Sequence, residues 1–248
     1  MELTGRSALV TGGGTGLGRA ISLGLARAGC DVAVNYARSA DDAEATAAEI
    51  RALGRRAVAV QADVADAASV ARLVADVERE LGAVDVLVNN AAVTRGIPFA
   101  DLAAVAPEDW QAILGVNLVG SFLCTQAVVP GMAARGAGSV LMVSSNAPYV
   151  AMGSSIPYTV SKAGLLSLTQ CLCRAVPDGV RVNAIAPGWM RTRWLERNLD
   201  PGLLARVESG ELPSVDVEDV ARAAVELIAN DAANGQTLVL DGGELWRT

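Results

Sequence analysis

The sequence predicts an α/β fold, a doubly wound, seven-stranded parallel sheet with helices on both faces. Short runs rich in β-branched residues alternate with longer segments in which alanine, leucine and arginine recur with helical period. The short runs are apolar at nearly every position, which is typical of strands that helices cover on both sides. Because no linker, repeat or low-complexity tract interrupts this alternation, we expect residues 1–248 to form one domain.

The predicted strands and helices alternate along the whole chain. The seven predicted strands are residues 7–12, 31–36, 57–64, 84–90, 138–145, 180–187 and 236–242. The segments of helical period lie near residues 16–28, 40–53, 66–81, 107–135, 157–175, 193–208 and 216–229. In open parallel sheets ligands collect at the carboxyl ends of the strands, so these ends are where functional residues are expected.

The composition excludes several classes of protein. The chain has no histidine, which removes Ser-His nucleophile systems and most zinc and haem ligand sets, and we predict no metal site. A net charge of −7 argues against a nucleic-acid or anionic-membrane surface. No signal-peptide pattern and no apolar run of membrane-spanning length is found, so a cytoplasmic protein is expected. The four cysteines, at positions 30, 124, 171 and 173, are expected to be reduced and buried.

The first strand runs directly into a glycine-rich turn, TGGGTGLG (residues 11–18), and then into a helix. A strand, a glycine turn and a helix N-terminus together form a cradle for a pyrophosphate. Gly12 permits the tight turn, Gly16 lets the backbone approach the phosphates, and Gly18 lets the helix pack closely on the sheet. A merely flexible turn is the alternative, but the position at the first strand–helix junction favours a dinucleotide site. The residues assigned to it are Gly12, Thr15, Gly16, Leu17 and Gly18.

The end of the second strand bears on the choice between NAD and NADP. An acidic residue there binds the ribose diol and repels a 2′-phosphate. This chain has no carboxylate between Asn35 and Asp41. Arg38 and Ser39 are therefore predicted to bind a 2′-phosphate, and the cofactor is predicted to be NADP(H) rather than NAD(H). Alternatively, Arg38 is a solvated charge and Ser39 caps the following helix.

Two further strand ends carry polar residues. Asp63 and Val64 close the third strand and are assigned to the adenine, although Asp63 is alternatively a turn residue ahead of the next helix. Asn90 and Ala91 follow the fourth strand, where small residues and amides suit a ribose. An asparagine-rich turn is the alternative for that pair.

The only lysine of the chain lies four residues after one of its three tyrosines, in PYTVSKAG. Tyr158 and Lys162 thus share one face of a helix, for which Pro157 suits the first turn and Ser154 or Ser155 the cap. An unperturbed phenol has a pKa of about 10. A nearby ammonium is expected to lower that pKa toward neutrality, which makes the phenol an acid for an alkoxide or a base for an alcohol. The alternative is an ordinary exposed helix pair.

Ser145 and Asn117 add to this pair. Ser145 ends the fifth predicted strand and is placed to hydrogen-bond a substrate oxygen. Asn117 lies in an otherwise apolar helix, where an amide is locally unfavourable and needs partners. A water that bridges toward Lys162 is one such partner, and a structural amide in a broken helical turn is the alternative.

In these features the chain resembles the short-chain dehydrogenase/reductase family, a family of single-domain Rossmann folds. The matching stretches span nearly the whole sequence: Thr11-Gly-x-x-x-Gly-x-Gly18, Asn89-Asn-Ala, Asn117, Ser145, Tyr158-x-x-x-Lys162, Pro187-Gly188-x-x-x-Thr192 and the closing Gly-Gln-Thr-Leu-Val-Leu-Asp-Gly-Gly. One departure is Ala92, where the family motif has glycine.

The resemblance implies a role for each matching residue. Asn117, Ser145, Tyr158 and Lys162 would form a catalytic tetrad, with Tyr158 and Lys162 also contacting the cofactor. Asn90 and the backbone of residues 182–188, including Pro187 and Gly188, would hold the nicotinamide half, with Thr192 beside it. Members of the family commonly form homotetramers through the helices that hold Asn117 and Tyr158, with the C-terminal strand and last helix at another interface.

Residues 188–213 are predicted to bind the substrate. Trp189 and Trp194 would form an apolar wall over the cofactor, and Asn146, Tyr149 and Met152 the opposite wall. This favours a fairly bulky, partly apolar substrate.

Within the family the chain most resembles 3-oxoacyl-[acyl-carrier-protein] reductases, including the VNY ending of the second strand (residues 34–36). That resemblance implies NADPH-dependent reduction of a ketone to a secondary alcohol, on a small molecule or a carrier-bound acyl thioester, with the proton from Tyr158. Two alternatives stay open here. One is an NAD(P)-dependent alcohol or sugar dehydrogenase working oxidatively. The other is a non-catalytic dinucleotide-binding sensor or scaffold, against which the complete tetrad argues.

Overall fold

A computed structural model of the chain describes residues 1–246, in which nine strands occur. In chain order they are β1 (Ser7–Val10), β2 (Asp31–Tyr36), β3 (Ala57–Gln61), β4 (Val86–Asn89), β5 (Gly138–Val143), β6 (Val180–Pro187), β7 (Trp189–Met190), β8 (Ser214–Val215) and β9 (Thr237–Leu240). Seven of them form one sheet in the order β3-β2-β1-β4-β5-β6-β9, with every neighbouring pair parallel. The predicted seven-stranded parallel sheet is confirmed.

Ten α-helices connect these strands in the described part of the chain. They are α1 (Gly16–Arg27), α2 (Ala40–Ala52), α3 (Ala67–Leu81), α4 (Pro107–Leu114), α5 (Ser121–Arg135), α6 (Ala147–Val150), α7 (Ile156–Ala175), α8 (Arg193–Asn198), α9 (Pro201–Glu208) and α10 (Val217–Ala229). Between α4 and α5 the residues Gly115–Gly120 form a π-helical turn, and Leu102–Ala104 and Glu244–Trp246 form 3₁₀ turns.

The sheet is covered on both faces, because successive residues of its central strands point to opposite sides. In β1, Ala8 and Val10 belong to an apolar cluster with α1, α2 and α10, whereas Leu9 belongs to a second cluster with α3, α5 and α7. All three side chains are fully buried. Burial on both faces accounts for the continuous apolar runs of the sequence.

Strand order reverses at β1, with β2 and β3 on one side and β4, β5, β6 and β9 on the other. The connections that leave β1 and β4 therefore diverge and open a crevice at their carboxyl ends. Gly12 follows β1, and Asn90 follows β4. The topology thus brings two of the predicted site segments to one crevice.

Two predicted helices differ from those observed. The segment 107–135 contains the π-helical turn at Gly115–Gly120, and the segment 193–208 is two helices. The segment 193–208 breaks at Asp200, between α8 and α9. The Asp200 carboxylate accepts from the backbone amides of Gly202 and Leu203 and so caps α9, and Pro201 lies in the first turn of that helix. A new N-cap so close to α8 forces the chain to leave one helix and begin another.

By length and composition alone, the continuous helical segment Pro107–Arg135 is apolar enough to cross a membrane. This is weak support for a span, because core helices of globular proteins meet the same criteria. Here the segment packs against α3 and α7 and against strands β4 and β5.

The cysteine prediction is half correct. All four thiols are free; Cys30 and Cys124 are buried, and burial raises the pKa of each to about 12, which makes them unreactive. Cys171 is exposed and Cys173 partly so. The expectation that all four are buried is therefore wrong, because these two side chains lie on the outer part of α7.

Candidate active site

A cavity of about 380 Å³ opens at the carboxyl edge of the sheet, above the crevice between β1 and β4. It brings together most of the residues that the sequence singled out. Those lining it are Gly12, Thr15, Gly16, Leu17, Ser39, Asn90, Ala91, Ser145, Asn146, Tyr158, Lys162, Pro187, Gly188, Trp189, Thr192 and Trp194. Gly18, Arg38, Asp63, Val64, Asn117, Tyr149 and Met152 are not among its lining residues.

The glycine turn has the backbone geometry that a pyrophosphate cradle requires. Gly12 has a φ of +61°, and a Cβ there would lie 3.1 Å from Ala91 Cα. At Gly18 a Cβ would lie 2.2 Å from the carbonyl oxygen of Gly12, so only glycine lets α1 approach the turn. Asn90 stabilises the turn, because its Nδ2 donates to the carbonyls of Thr11 (2.9 Å) and Gly12 (3.0 Å). The sequence assigned Asn90 to a ribose and did not anticipate this contact.

The N-terminus of α1 is open to the cavity. Thr15 occupies the N-cap position but its side chain makes no capping hydrogen bond. At Gly16 the nearest atoms to an added Cβ belong to Thr192, 3.8 Å away across the cavity. Uncapped backbone amides at the positive end of a twelve-residue helix suit an anion. The residues present therefore fit the pyrophosphate of a dinucleotide.

Ser39 and Asp42 line the cavity at the end of β2, and Arg38 lies beside them, exposed. Ser39 stands at the N-cap of α2 without a capping hydrogen bond, so the helix-cap interpretation of its side chain is wrong. No ion pair involves Arg38 within residues 1–246. Asp42 instead pairs with Arg193 of α8 at 2.8 Å, which joins α2 to the segment predicted to bind substrate.

Asp63 stabilises the turn ahead of α3, which is the alternative that the sequence offered to an adenine contact. Its Oδ1 accepts from the backbone amide of Ala65 at 2.9 Å, and its own amide donates to Ser69 Oγ at 3.1 Å. Val64 is buried, and a Cβ on Gly120 would lie 2.8 Å from its Cγ2. Val64 therefore packs against the π-helical turn.

Tyr158, Ser145 and Lys162 meet where β5 ends against α7. Ser155 caps α7 by accepting from the amide of Tyr158, and Pro157 lies in the first turn, as predicted. The Tyr158 hydroxyl and Ser145 are hydrogen-bonded. Lys162 Nζ donates to the carbonyl oxygen of Val143 at 2.7 Å.

The expected direction of the Tyr158 pKa shift is wrong. Burial raises the pKa of Tyr158 to about 12, and the hydrogen bond with Ser145 only partly opposes this shift. Burial also lowers the pKa of Lys162 to about 7. Desolvation disfavours the charged form of both groups, and the ammonium lies 5.6 Å from the centroid of the phenol ring, so its field does not overcome burial.

Asn117 is fully buried in the π-helical turn and has protein partners. Its Oδ1 accepts from the amide of Val93 at 2.8 Å, and its Nδ2 donates to the carbonyl of Val93 and to Ser161 Oγ. Ser161 in turn donates to the carbonyl of Tyr158 at 2.6 Å. These bonds match the structural-amide alternative, and they join the loop after β4 to the helix that carries Tyr158.

Only one of the two predicted substrate walls has the expected composition. The Trp194 ring lies 5.5 Å from the Tyr158 ring, and Trp189 lines the cavity from β7. Tyr149 is 43% exposed on α6 and lies outside the cavity. Met152, which follows α6, packs against an apolar cluster formed by Trp189, Leu195, Leu199, Val207 and Leu212.

Glu244 is a site residue that sequence reasoning missed. Its carboxylate is buried and accepts from Asn146 Nδ2 at 2.7 Å and from Trp189 Nε1 at 2.9 Å. No motif marks this residue, since its partners are 98 and 55 positions away in the chain.

The site has the geometry of a dinucleotide cradle beside a tyrosine acid, and it holds no candidate metal cluster. Within residues 1–246 there is no group of three or more His, Cys, Asp or Glu side chains placed to bind a metal ion.

Comparison with known proteins agrees with this geometry. The model of the short chain dehydrogenase family matches residues 6–201. The chain is 43% identical over 239 residues to a protein of Streptomyces violaceoruber named as ketoacyl reductase 2 of the granaticin polyketide synthase, covering 95% of this chain and 94% of the relative. It is 39% identical to a 3-oxoacyl-[acyl-carrier-protein] reductase of Synechocystis, with 97% of each chain covered.

A solved structure gives the same result. A short chain dehydrogenase of Burkholderia cenocepacia in complex with NADP superposes with a TM-score of 0.86 at 35% identity, covering 98% of this chain and 99% of that chain. The chain therefore belongs to the short-chain dehydrogenase family, and it is a dinucleotide-dependent oxidoreductase of that family.

Proposed function

We propose that this enzyme reduces a 3-oxoacyl thioester or a related ketone to a secondary alcohol with NADPH. The observation that carries the proposal is the arrangement at the cavity wall, where the Tyr158 phenol lies beside Ser145 and 5.6 Å from the Lys162 ammonium. A phenol with a pKa of about 12 keeps its proton at neutral pH and donates it readily to the far more basic alkoxide of a reduced ketone. The names of the two sequence relatives support the substrate class.

Each polar residue has a proposed part in the reaction. NADPH, when bound, supplies the hydride that the carbonyl carbon accepts. Tyr158 Oη donates its proton to the carbonyl oxygen as the C=O double bond becomes a single bond, and Ser145 Oγ orients and stabilises that oxygen. Lys162 would donate to the cofactor ribose, and its ammonium would stabilise the phenolate that Tyr158 becomes after giving up its proton. Asn117 acts as a positioning residue, since its partners hold the backbone of Tyr158.

In this proposal different residues hold different parts of the dinucleotide. The uncapped N-terminus of α1 would hold the pyrophosphate. Asp63 and Val64 stay assigned to the adenine from the sequence, but neither lines the cavity, whereas Tyr158 lines it and would contact the nicotinamide half. Residues assigned to the cofactor are Gly12, Thr15, Gly16, Leu17, Gly18, Asn90, Ala91, Tyr158, Lys162, Pro187, Gly188 and Thr192, together with those at the end of β2.

NADPH is preferred to NADH in this proposal because of the end of β2. Arg38 is exposed and has no ion-pair partner within the described residues, and Ser39 lines the cavity without a capping bond. Both side chains are therefore available to a 2′-phosphate. The NADP bound in the Burkholderia relative agrees with this assignment.

The substrate is proposed to enter between Trp194 and the Asn146 side of the cavity, with residues 188–213 as the binding segment. Within this segment Trp189, Leu195, Leu199, Val207 and Leu212 pack together as a third apolar cluster. An apolar lining favours the acyl part of a small ketone or of a carrier-bound thioester. We place the reaction in the cytoplasm and treat residues 1–248 as one catalytic unit.

We also propose that the enzyme is a homotetramer. Large apolar side chains are exposed on the elements where family members associate: Val119 and Phe122 near Asn117, Val160 on α7, and Leu238 and Trp246 at the C-terminal end. Exposed apolar residues on the same two surfaces are typical of subunit interfaces. Light scattering of the wild type and of Phe122→Glu tests this assembly.

A substrate panel tests the proposed reaction. Purified enzyme is mixed with NADPH or NADH and with acetoacetyl thioesters, β-keto esters and sugar ketones, and nicotinamide oxidation is followed by absorbance. We expect turnover of acetoacetyl thioesters with NADPH and chiral 3-hydroxy product. Faster oxidation of alcohols or sugars with NAD⁺ would favour the oxidative dehydrogenase. Tight NADPH binding without turnover of any compound would favour a sensor.

A further inference from the structure

A buried carboxylate lies behind one wall of the cavity. Glu244 is 9% exposed and belongs to the 3₁₀ turn near the C-terminus. Its two oxygens accept from different elements: Oε2 from Asn146 Nδ2, after β5, and Oε1 from Trp189 Nε1, in β7. Asn146 and Trp189 line the cavity, whereas Glu244 does not.

The carboxylate is held without a cationic partner. No ion pair involves Glu244 in the described part of the chain, so the two neutral donors supply its hydrogen bonds. A buried charge is costly unless hydrogen bonds satisfy it, and bonds to a charged acceptor are stronger than neutral ones. Asn146 and Trp189 are thus tied more firmly than a neutral acceptor would tie them.

The position of Glu244 is itself fixed by the backbone. Asp241 is buried and accepts from the amides of Gly243 (2.9 Å) and Leu245 (2.8 Å), which folds the turn on either side of Glu244. Gly188 N donates to the carbonyl of Leu240 at 2.9 Å, so the turn is joined to the strand end that precedes Trp189. The close approach requires glycine there, since a Cβ on Gly188 would lie 2.8 Å from Asp241 Cα.

The carboxylate also determines which group Asn146 presents. A carboxylate can only accept, so the amide nitrogen of Asn146 must face it. The carbonyl oxygen, on the other branch of the amide, is then the group left for the cavity. In the same way the indole of Trp189 is held by its one N–H, which fixes the plane of the ring.

We infer that Glu244 is a positioning residue for substrate: it fixes the Asn146 amide and the Trp189 indole as one wall of the cavity. This inference rests on the proposed ketone reductase function. The wall offers an acceptor oxygen beside an apolar ring, and it therefore favours a ketone substrate that carries a hydroxyl or amide N–H donor near an apolar chain. Glu244 touches neither the reacting atoms nor the cofactor.

The test compares Glu244→Gln with Glu226→Gln, a matched exchange at an exposed glutamate of α10. A glutamine has one acceptor oxygen, so it cannot accept from both Asn146 and Trp189. If its oxygen keeps the Trp189 bond, Asn146 either loses its bond or turns its own oxygen to the new amide nitrogen and presents its NH2 group to the cavity. With the acetoacetyl thioester of N-acetylcysteamine, which carries an amide N–H, we expect KM to rise roughly tenfold while kcat stays within about twofold. Glu226→Gln should match the wild type in both constants.

A double-mutant cycle with Trp189→Phe separates positioning from general destabilisation. Phenylalanine keeps an apolar ring but removes the N–H that Glu244 accepts. If Glu244 acts through Trp189, the fold increase in KM of the double variant should be smaller than the product of the fold increases of the two single variants. Two results would overturn the inference in favour of a purely structural role. One is a fold increase in KM of the double variant equal to the product of the two single increases, and the other is a fall in kcat as large as the rise in KM together with a lower melting temperature.

Tryptophan emission gives a readout that needs no turnover. The difference between the spectra of wild type and Trp189→Phe isolates Trp189, and the same difference is taken in the Glu244→Gln background. We expect the isolated emission to shift when the carboxylate is replaced. An unchanged emission with unchanged KM refutes the positioning role. If no ketone is turned over by wild type, the proposed function fails, and the emission alone decides whether Glu244 holds Trp189.

Discussion

The ammonium nitrogen of Lys162 lies 5.6 Å from the centroid of the Tyr158 ring, and both groups are enclosed where β5 meets α7. Burial moves their pKa values in opposite directions, to about 7 for the lysine and about 12 for the tyrosine. The site therefore holds a protonated phenol beside a lysine that loses its proton near neutral pH. Such a phenol releases its proton only when a strongly basic oxygen develops next to it.

Removing the phenol oxygen should stop proton donation and leave cofactor binding intact. Tyr158→Phe keeps the ring that lies 5.5 Å from Trp194, so the cavity wall is preserved. Because general acid catalysis contributes about 10²–10⁴-fold, we expect kcat for ketone reduction to fall about 10³-fold. Steady-state kinetics measure kcat, and fluorescence titration should give an NADPH Kd close to that of wild type. A variant that keeps most of the wild-type kcat would remove Tyr158 from the reaction.

Lys162 should make stability depend on pH. The lysine pKa falls from 10.5 in the unfolded chain to about 7 in the folded protein. Between these values the unfolded chain binds a proton that the folded chain has released, so the free energy of unfolding rises with pH by about 1.4 kcal/mol per unit. Below pH 7 both states are protonated and the rise stops. The raised pKa of Tyr158 adds nothing below about pH 10.

Lys162→Met isolates this contribution. The variant lacks the titrating group, so the free energy of unfolding of wild type minus variant should increase by about 1 kcal/mol between pH 8 and pH 9. Urea unfolding at both pH values measures it, and a further pair of measurements near pH 6 should show little change. A difference that stays constant from pH 6 to 9 would mean that the folded lysine keeps its proton throughout.

The parallel sheet and the glycine-turn cradle follow from local patterns, whereas several contacts do not. Continuous apolar runs predict a parallel sheet because both faces are covered, and Gly12 and Gly18 are where the turn and the helix approach require them. The direction of the Tyr158 pKa shift could not be read from the spacing to Lys162. It depends on how deeply both side chains are enclosed, which other parts of the chain determine.

Asn117 and Glu244 show the same limit. An amide within an apolar helix indicates a buried partner, but the partner, Val93, lies in a loop 24 residues away. In the sequence Glu244 has no feature that distinguishes it from an exposed charge near the C-terminus. In the structure the C-terminal turn places it against Asn146, 98 positions away. Contacts of this length arise from tertiary packing, and no local period or cap predicts them.

Arg38→Asp should reverse the preference for NADPH. The aspartate repels a 2′-phosphate and accepts from the ribose diol of NADH. We expect the Kd for NADPH to rise at least roughly tenfold and the Kd for NADH to fall, both measured by fluorescence titration. Arg72→Asp is the matched control, since Arg72 is an exposed arginine of α3 that does not line the cavity. Equal effects of the two variants would assign the change to net charge and not to Arg38.

The close approach of α1 to the glycine turn should make both stability and cofactor binding sensitive to a side chain at Gly18. A Cβ at Gly18 would lie 2.2 Å from the Gly12 carbonyl and 2.5 Å from Asn90 Nδ2, so helix and turn must separate. We expect Gly18→Ala to lower the free energy of unfolding by about 1–3 kcal/mol and to weaken NADPH binding.

The same glycine-to-alanine exchange at Gly131 should raise the free energy of unfolding instead of lowering it. Gly131 lies inside α5, and the atom nearest to an added Cβ is the flexible end of Arg135 at 3.3 Å. Alanine loses less backbone entropy than glycine on folding, so this variant should be more stable by about 0.5–1 kcal/mol. Urea unfolding and NADPH titration of both variants measure the contrast. If Gly18→Ala matches Gly131→Ala in both assays, the turn has room for a side chain and the cradle does not depend on close packing.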